Sequence, residues 1–350
     1  MDRPDPENRP EAAEAGAPGD DATPDAAPAE GRSRRQAVGL TSVVGLLLGG
    51  AAMFYVARRL NKDWPDASDA LADADLVWVA VAVVCAVLAM SSIGWGWRHV
   101  MRLLGVRVPL GRVVAWYYVG ELGKYLPGGV WPVLGRGELA RRGGVPRTRA
   151  YASVALSLGL LYLAALFVAA GFLPFALSGG GFNGWMMFLL ALPVGVVMLH
   201  HAVLARMLAV VEKLTRRTIV FQIPQWRDSL VLVARYVPTW FFVGTATWAI
   251  ARSLTPDASY PKVMFATVLS WTAGFLAVPV PAGAGIREAV LTASSGLDGG
   301  VAAATAIVAR ILFVLVDVVG AVVCAPIAGR QRGGARVGPV PRHDETVVIH

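Results

Sequence analysis

Charged side chains lie within several apolar stretches of this 350-residue chain. Glu121 and Lys124 are three residues apart in one such stretch, so on a helix they share a face and can pair with each other. A charge at membrane depth costs about 2.5–3.5 kcal/mol on insertion scales, so it needs a partner or a function. We interpret this pair as a candidate head-group or ion site. The alternatives are a mutually neutralised pair, or a lysine that reaches the membrane interface.

A second pair of charges, Arg310 and Asp317, lies in the last apolar stretch, seven residues apart. On a helix they share a face but lie about 10 Å apart along the axis. That distance is too long for most direct ion pairs, so we expect each side chain to meet another element. Asp317 could pair with Lys124 or with Arg287. The alternative interpretation is a structural buried ion pair.

Two breaks rich in proline and glycine interrupt apolar stretches at about 113–135 and 263–286. Backbone groups cannot stay unpaired in hydrocarbon, so a break is tolerated where it faces protein or a water-filled cavity. The ends of the half-helices can then hold an ion or a head group. A kinked structural helix is the alternative for either break. The candidate residues in the breaks are Pro127, Gly128, Gly129, Pro281, Gly283 and Gly285.

Charged residues also follow each break. Arg136 and Glu138 come after the first break, and Arg287 and Glu288 come after the second. Their equivalent placement favours a shared site. The alternative is that these are loop charges that anchor helix ends.

The composition excludes a soluble globular protein. Hydrophobic residues make up 55% of the chain, charged residues only 16%, and the mean hydropathy is +0.55. About 20 apolar residues span a bilayer core, and six stretches reach that length. We therefore predict an all-α integral membrane protein with about six transmembrane helices and two re-entrant or broken elements. The predicted spans lie at about 37–57, 76–97, 151–173, 185–204, 230–250 and 301–327.

The distribution of arginine predicts the orientation. The net charge of +8 arises from arginines at the edges of apolar segments, so topology explains it better than nucleic-acid binding does. Both termini are predicted to be cytoplasmic, and both broken stretches should enter and leave on one side. Pairs of short crossing helices are the alternative. Residues 1–35 are predicted to form a disordered acidic tail, 36–330 the membrane domain and 331–350 a basic tail. Aromatic residues at span ends, among them Trp97 and Trp116, are interpreted as an interfacial belt.

The two breaks are related by a fixed shift. Pro127 corresponds to Pro281 with a shift of 154 residues, and the same shift carries Leu76 to Leu230 and Tyr151 to Thr305. We interpret this as an inverted repeat with halves at about 37–174 and 185–328, an arrangement common in secondary transporters. A coincidence of spacing between apolar segments is the alternative.

Enzyme signatures are missing from the sequence. It has no Gly-x-Ser-x-Gly, no Walker loop and no His-Glu-x-x-His. We predict no catalytic residues, no cofactor and no metal.

Two segments resemble a known family. They are Gly-Glu-Leu-Gly-Lys-Tyr-Leu-Pro-Gly-Gly-Val-Trp-Pro-Val-Leu-Gly-Arg at 120–136, followed by Arg-Arg-Gly-Gly-Val at 141–145, and Pro-Val-Pro-Ala-Gly-Ala-Gly-Ile-Arg-Glu at 279–288. These resemble the bacterial lysylphosphatidylglycerol synthase transmembrane family, also called the flippase-like domain family, over about residues 37–330. The resemblance implies a multi-pass plasma-membrane protein that handles lipids.

The resemblance also suggests a function. In fused members a soluble domain attaches lysine to phosphatidylglycerol, and the membrane part moves the product between leaflets. Since this chain ends soon after its last span, we expect translocation without aminoacylation. The expected partners are anionic phospholipids or isoprenoid-linked lipids, and a homo-oligomer or a partner synthase is left open.

We predict specific roles for the charged candidates. Lys124, Arg136 and Arg287 would hold a phosphate, while Glu121, Glu288 and Asp317 would balance charge or carry a coupling proton. One alternative is a membrane subunit or membrane-embedded enzyme of phospholipid or glycolipid synthesis. Another is a scaffold that recruits a partner through its N-terminal tail.

Overall fold

The computed structural model describes residues 74–126, 130–177, 226–277, 285–329 and 335–338, together with residues 58, 68, 72 and 283. These residues belong to one compact unit that covers Leu47–His350. The predicted spans at 37–57 and 185–204 lie outside the described residues, as does the tail at 1–35. The same holds for four candidates in the breaks, Pro127, Gly128, Gly129 and Pro281.

The described residues are mostly helical. A 3-10 turn at Leu122–Tyr125 follows the second helix, and a short antiparallel pair joins β1 (Val106–Arg107) to β2 (Arg336–Val337). The helices are α1 (Leu76–Leu103), α2 (Leu110–Glu121), α3 (Trp131–Arg142), α4 (Arg147–Leu177), α5 (Trp226–Ala234), α6 (Val237–Leu254), α7 (Tyr260–Leu276), α8 (Ile286–Ser294) and α9 (Gly299–Ala328).

Within the part of the chain that the structure describes, four helical segments are long and apolar enough to cross a membrane. They are α1, α4 and α9, together with the segment Leu230–Leu254, which joins the end of α5 to α6. Each coincides with one of the six predicted spans, and together they confirm a helical membrane protein. The side chain of Asp75 fixes the start of α1 by accepting a hydrogen bond of 2.9 Å from the Val77 amide.

The two broken stretches form helical hairpins. We call α2, the 3-10 turn and α3 the first hairpin, and α7 with α8 the second hairpin. Within each, the two arms pack against each other. The arms of the first hairpin run antiparallel, because Gly120 meets Gly135 whereas Trp116, earlier on α2, meets Gly143, later on α3.

Close backbone contacts within the hairpins require glycine. A Cβ atom on Gly120 would lie 2.8 Å from the backbone nitrogen of Arg136. In the second hairpin, a Cβ atom on Gly283 would lie 2.6 Å from the Cα of Gly274, and Gly283 also has a φ of +66°. Any side chain at these positions would clash with the backbone opposite, so only glycine allows the two arms to approach this closely.

The core of the bundle contains large aromatic residues. Trp97 and Trp116 are each only 1% exposed, so the prediction that they lie in an interfacial belt is wrong. Helix α1 continues to Leu103, beyond the predicted span, so Trp97 does not lie at a helix end, and it packs in the core beside Trp116, with the ring centres 6.5 Å apart. The indole of Trp97 donates a hydrogen bond of 2.9 Å to the Ser153 hydroxyl, which satisfies its buried N–H group.

Helix α9 contacts both hairpins. It packs against α2 of the first hairpin and against α8 of the second. It also packs against α1 and α6. Side chains from successive turns of α9 can therefore meet each hairpin in turn, which positions the site described next.

Candidate functional site

Asp317 connects α9 to the first hairpin. Its side chain is completely buried, and its Oδ2 atom lies 2.5 Å from Lys124 Nζ. The same oxygen accepts a hydrogen bond of 2.8 Å from the Tyr125 hydroxyl. Of the two partners considered for Asp317 from the sequence, the structure therefore selects Lys124. Asp317 Oδ1 is buried without a hydrogen-bond partner.

Glu121 is a second carboxylate that pairs with buried cations of the first hairpin. It lies 3.4 Å from Lys124 Nζ, which confirms the pair expected from helical spacing, and it also pairs with Arg136. Arg136 is only 3% exposed, and its guanidinium lies over the Tyr117 ring, 4.5 Å from the ring centre. Lys124 and Arg136, the two buried cations of the first hairpin in this cluster, therefore each have a carboxylate partner.

Arg310 connects α9 to the second hairpin, where it pairs with Glu288. The other oxygen of Glu288 accepts a hydrogen bond of 2.6 Å from the amide of Gly285, which caps α8. Gly285 has a φ of +84°, a conformation that favours glycine. As expected from their separation, Arg310 and Asp317 each meet a different element.

Arg287 differs from the other cations of the site. Its guanidinium stacks over Trp271, 4.3 Å from the ring centre. Among the residues that the structure describes, no carboxylate oxygen lies within 4.0 Å of it, and its Nε atom is buried without a hydrogen-bond partner. The Ser270 hydroxyl donates a hydrogen bond of 2.8 Å to the Arg287 carbonyl, which ties α8 to α7. Arg287 is thus held in place but not neutralised.

The two hairpins share a local arrangement. Tyr117 and Trp271 are separated by 154 residues, as are Gly120 and Gly274. In each hairpin an aromatic residue of the first arm contacts an arginine of the second arm. The glycine three positions later leaves room for that arginine, since a Cβ atom there would lie 2.5–2.6 Å from the arginine Cγ atom.

Two small cavities lie on either side of this cluster. They leave about 50 Å³ and 40 Å³ for the centres of water-sized molecules. The larger cavity is lined by Glu288 and Arg310, and the smaller one by Glu121 and Arg136. Lys124, Trp271 and Arg287 line both cavities and so stand between them.

The cluster contains seven of the eight charged residues that the sequence offered as candidates, and Glu138 is the exception. The carboxylates of the cluster are Glu121, Glu288 and Asp317, and its cations are Lys124, Arg136, Arg287 and Arg310. Each carboxylate is matched by one cation, so with every group ionised the cluster carries a net charge of +1. An arrangement of this kind can bind an anion, with Arg287 as the unmatched cation.

Other predicted candidates have different roles. Glu138 lies away from the cluster, on a partly exposed face of α3, where it pairs with Arg141 and Arg142. The hydrogen bond from Arg141 lowers the pKa of Glu138 to about 2. Gly283 packs against Gly274, and Gly285 begins α8. Within the described ranges, no group of three or more histidine, cysteine, aspartate or glutamate side chains is placed to hold a metal.

Sequence reasoning did not identify the aromatic members of the site. Trp271, Tyr117 and Tyr125 contact the charged residues, and Tyr162 lines the smaller cavity. The 154-residue shift, applied to aromatic residues as well as to prolines, would have pointed to Tyr117 and Trp271.

The helices and the buried ionic cluster define a helical membrane protein with a charged site in its core. Residues 42–324 match the family model described as the lysylphosphatidylglycerol synthase TM region, so the chain belongs to this family. The membership predicted from the two motifs is thereby confirmed. The match includes every member of the charged cluster. No protein in the curated collection of sequences matches the chain.

Proposed function

We propose that the protein is a lipid translocase, which moves a lipid with an anionic or otherwise modified head group between the two leaflets. The observation that supports this most strongly is the buried cluster between the hairpins, with four cations, three carboxylates and two adjoining cavities. Such a polar region offers a head group a path through hydrocarbon, while the acyl chains stay in the bilayer.

The shared arrangement of the hairpins supports an inverted repeat. The 154-residue shift carries Leu110–Glu121 to 264–275 within α7, and Trp131–Arg142 to 285–296 around α8. In secondary transporters with such repeats, broken helices from the two halves form the substrate site near the bilayer midplane. We therefore propose two re-entrant hairpins among six spans, with both termini cytoplasmic, in the plasma membrane.

The ionic contacts suggest how the site would work. Lys124, Arg136 and Arg287 are placed to bind a phosphate, and the ion pairs would keep the cluster stable between transport cycles. Lys124 lies between Glu121 and Asp317, so a small displacement would change its partner. Glu121, Glu288 and Asp317 remain candidates to balance charge or to carry a coupling proton.

The proposal is tested with purified protein in liposomes that contain fluorescent phosphatidylglycerol, lysylphosphatidylglycerol or a polyprenyl phosphate. A membrane-impermeant quencher added outside the liposomes reports exchange, because it reaches a labelled lipid of the inner leaflet only after that lipid has moved to the outer leaflet. At least one lipid should exchange faster than in protein-free liposomes, and Arg287→Ala should abolish this exchange. The matched control is Arg142→Gln, because Arg142 has a 49% exposed side chain and its one carboxylate partner among the described residues is Glu138, outside the cluster.

Absence of exchange for all three lipids would contradict the proposal, provided that the protein is folded and that an ion gradient and a membrane potential have been imposed. A membrane subunit, or a membrane-embedded enzyme of phospholipid or glycolipid synthesis, would then be the better interpretation.

A further inference from the structure

The charge of the site restricts which head group it can bind. Arg287 lies at the junction of the two cavities and has no carboxylate partner among the described residues. A buried charge without a partner is unfavourable, and the ring of Trp271 attracts the guanidinium without neutralising it. The Nε atoms of Arg287 and of Arg136 both lack a hydrogen-bond acceptor, so the absence of a carboxylate partner is what distinguishes Arg287. These features are those of a binding group whose anion arrives with the ligand.

The number of charges points to a single negative charge on the ligand. Three of the four cations are matched by carboxylates, which leaves one positive charge to be neutralised. A phosphodiester carries one negative charge and presents two oxygens, which suit the planar fork of a guanidinium. Lys124 also lines both cavities and can donate to the same phosphate.

Each carboxylate of this cluster is already paired with a protein cation, although the Oδ1 atom of Asp317 accepts no hydrogen bond among the described residues. Asp317 is engaged by Lys124 and Tyr125, and Glu288 is engaged by Arg310 and by the amide of Gly285. Glu121 is engaged by Arg136 and Lys124. To pair with any of these carboxylates, an incoming ammonium would have to displace a protein cation and leave it buried and unpaired. The repulsion by Arg287 would remain.

We infer that the substrate is a phosphodiester lipid with one net negative charge, that its phosphate binds Arg287, and that lipids with a net positive head group are excluded. This inference rests on the proposed function, because it specifies the substrate class of the same site. It separates two kinds of lipid that the proposed function leaves open, the anionic and the aminoacyl-modified.

The test compares three lipids that differ in head-group charge, in liposomes that contain the wild-type protein. Phosphatidylglycerol carries one negative charge, phosphatidylcholine is neutral overall, and lysylphosphatidylglycerol carries one positive charge. We expect phosphatidylglycerol to exchange about tenfold to a hundredfold faster than lysylphosphatidylglycerol. Both lipids carry the phosphodiester, but the ammonium groups of the lysyl head group would have to displace a protein cation from its carboxylate, and the loss of one hydrogen bond between charged groups changes a rate by about this factor. The exchange rate of phosphatidylcholine should be lower than that of phosphatidylglycerol.

Variants of Arg287 then show whether this residue sets the selectivity. Arg287→Gln should lower phosphatidylglycerol exchange about tenfold to a hundredfold. Arg287→Lys should restore part of the rate, because the charge remains while the two-point contact is lost. Arg142→Gln, which removes an arginine outside the cluster, should leave the rate and the lipid preference unchanged.

An additional experiment tests whether the substrate is a lipid or a water-soluble anion. Glycerophosphoglycerol has the head group of phosphatidylglycerol without acyl chains, and it can be supplied outside the same liposomes in radiolabelled form. We expect no protein-dependent uptake. Uptake of this compound without exchange of phosphatidylglycerol would overturn the inference in favour of a soluble substrate.

The remaining outcomes distinguish a failure of the inferred charge preference from a failure of the proposed translocase function. If lysylphosphatidylglycerol exchanges as fast as phosphatidylglycerol or faster, the inference about charge is wrong, whereas translocation stands. Equal exchange of all three lipids would overturn the inference in the same way. If no lipid is exchanged by folded protein, the translocase function itself is contradicted.

Discussion

The first and second hairpins hold an arginine in the same way but treat its charge differently. Arg136 lies on Tyr117 and is paired with Glu121, whereas Arg287 lies on Trp271 without a carboxylate partner among the described residues. Arg136 lines one cavity and Arg287 lines both. In the first hairpin, therefore, the stacked arginine is neutralised by a carboxylate of the same hairpin, Glu121, and Lys124 is paired with Asp317 on α9. The second hairpin keeps a positive charge where a ligand can reach it.

This difference leads to opposite expectations for stability and activity. Breaking the balanced arginine pair should unfold the protein, because a buried charge loses its partner. Removing the unbalanced arginine should leave the fold intact and abolish transport, as is often found where a functional site carries a destabilising group.

The largest expected effect is that of Glu121→Gln in the first hairpin. The substitution leaves Arg136 buried without a carboxylate, and the loss of one partner from a buried ion pair costs about 3–5 kcal/mol. Reversible denaturation in detergent measures the loss. The control is Glu138→Gln, which breaks a partly exposed pair and should cost less than about 1 kcal/mol. Equal effects of the two substitutions would contradict the balanced role of Glu121.

A smaller effect is expected from alanine at the two equivalent glycines. In Gly120→Ala the new Cβ atom meets the Arg136 backbone at 2.8–3.0 Å, which should destabilise the protein by about 1–3 kcal/mol. In Gly274→Ala it meets the Arg287 side chain, which can move aside. This variant should therefore remain folded and lose lipid exchange. Exchange of phosphatidylglycerol by Gly274→Ala at the wild-type rate would contradict the claim that the position of the Arg287 side chain is needed for exchange.

Arg287→Gln should change stability by less than about 1 kcal/mol, because the lost contact with Trp271 is offset by removal of an unpaired cation. The same denaturation measurement checks this value. A loss as large as that of Glu121→Gln would mean that Arg287 has a partner and a structural role, and the contrast between the hairpins would disappear.

The smallest expected effect is the contribution of the Glu138 ion pair to the stability of the protein at acidic pH. Arg141, followed by Arg142, holds the pKa of this carboxylate down to about 2, against 4.5 for an unperturbed glutamate. The ionised form is therefore favoured in the folded state, and its contribution is complete above about pH 4.5 and is lost as the pH falls towards 2. The stability difference between the wild type and Glu138→Gln, below about 1 kcal/mol at neutral pH, should vanish over that range. A constant difference would contradict the assignment.

Part of this arrangement could be predicted from local sequence. Long apolar runs identified the four described spans, and helical spacing identified the contact between Glu121 and Lys124. The separation of Arg310 and Asp317 correctly required partners on other elements. Each of these conclusions depends on geometry within a single helix, which the sequence largely determines.

The remaining features depend on how helices pack. Whether Asp317 meets Lys124 or Arg287 is decided by the position of α9 between the two hairpins, and the sequence left both options open. Trp97 and Trp116 were expected at the interface, but α1 and α2 bring them into the core. The unpaired state of Arg287 could not be deduced from residue types, because the chain offers enough carboxylates for every cation of the cluster.

The central claim is that a lipid head group passes through the cavity beside Arg287, and this passage can be blocked sterically. Ala309 on α9 lines the larger cavity, whereas Ala325 lies on an exposed face of the same helix. Phosphatidylglycerol exchange is measured for Ala309→Phe and Ala325→Phe, after circular dichroism and size-exclusion chromatography have established that both are folded. The account predicts that Ala309→Phe abolishes exchange and that Ala325→Phe retains it. Wild-type exchange by folded Ala309→Phe would contradict it.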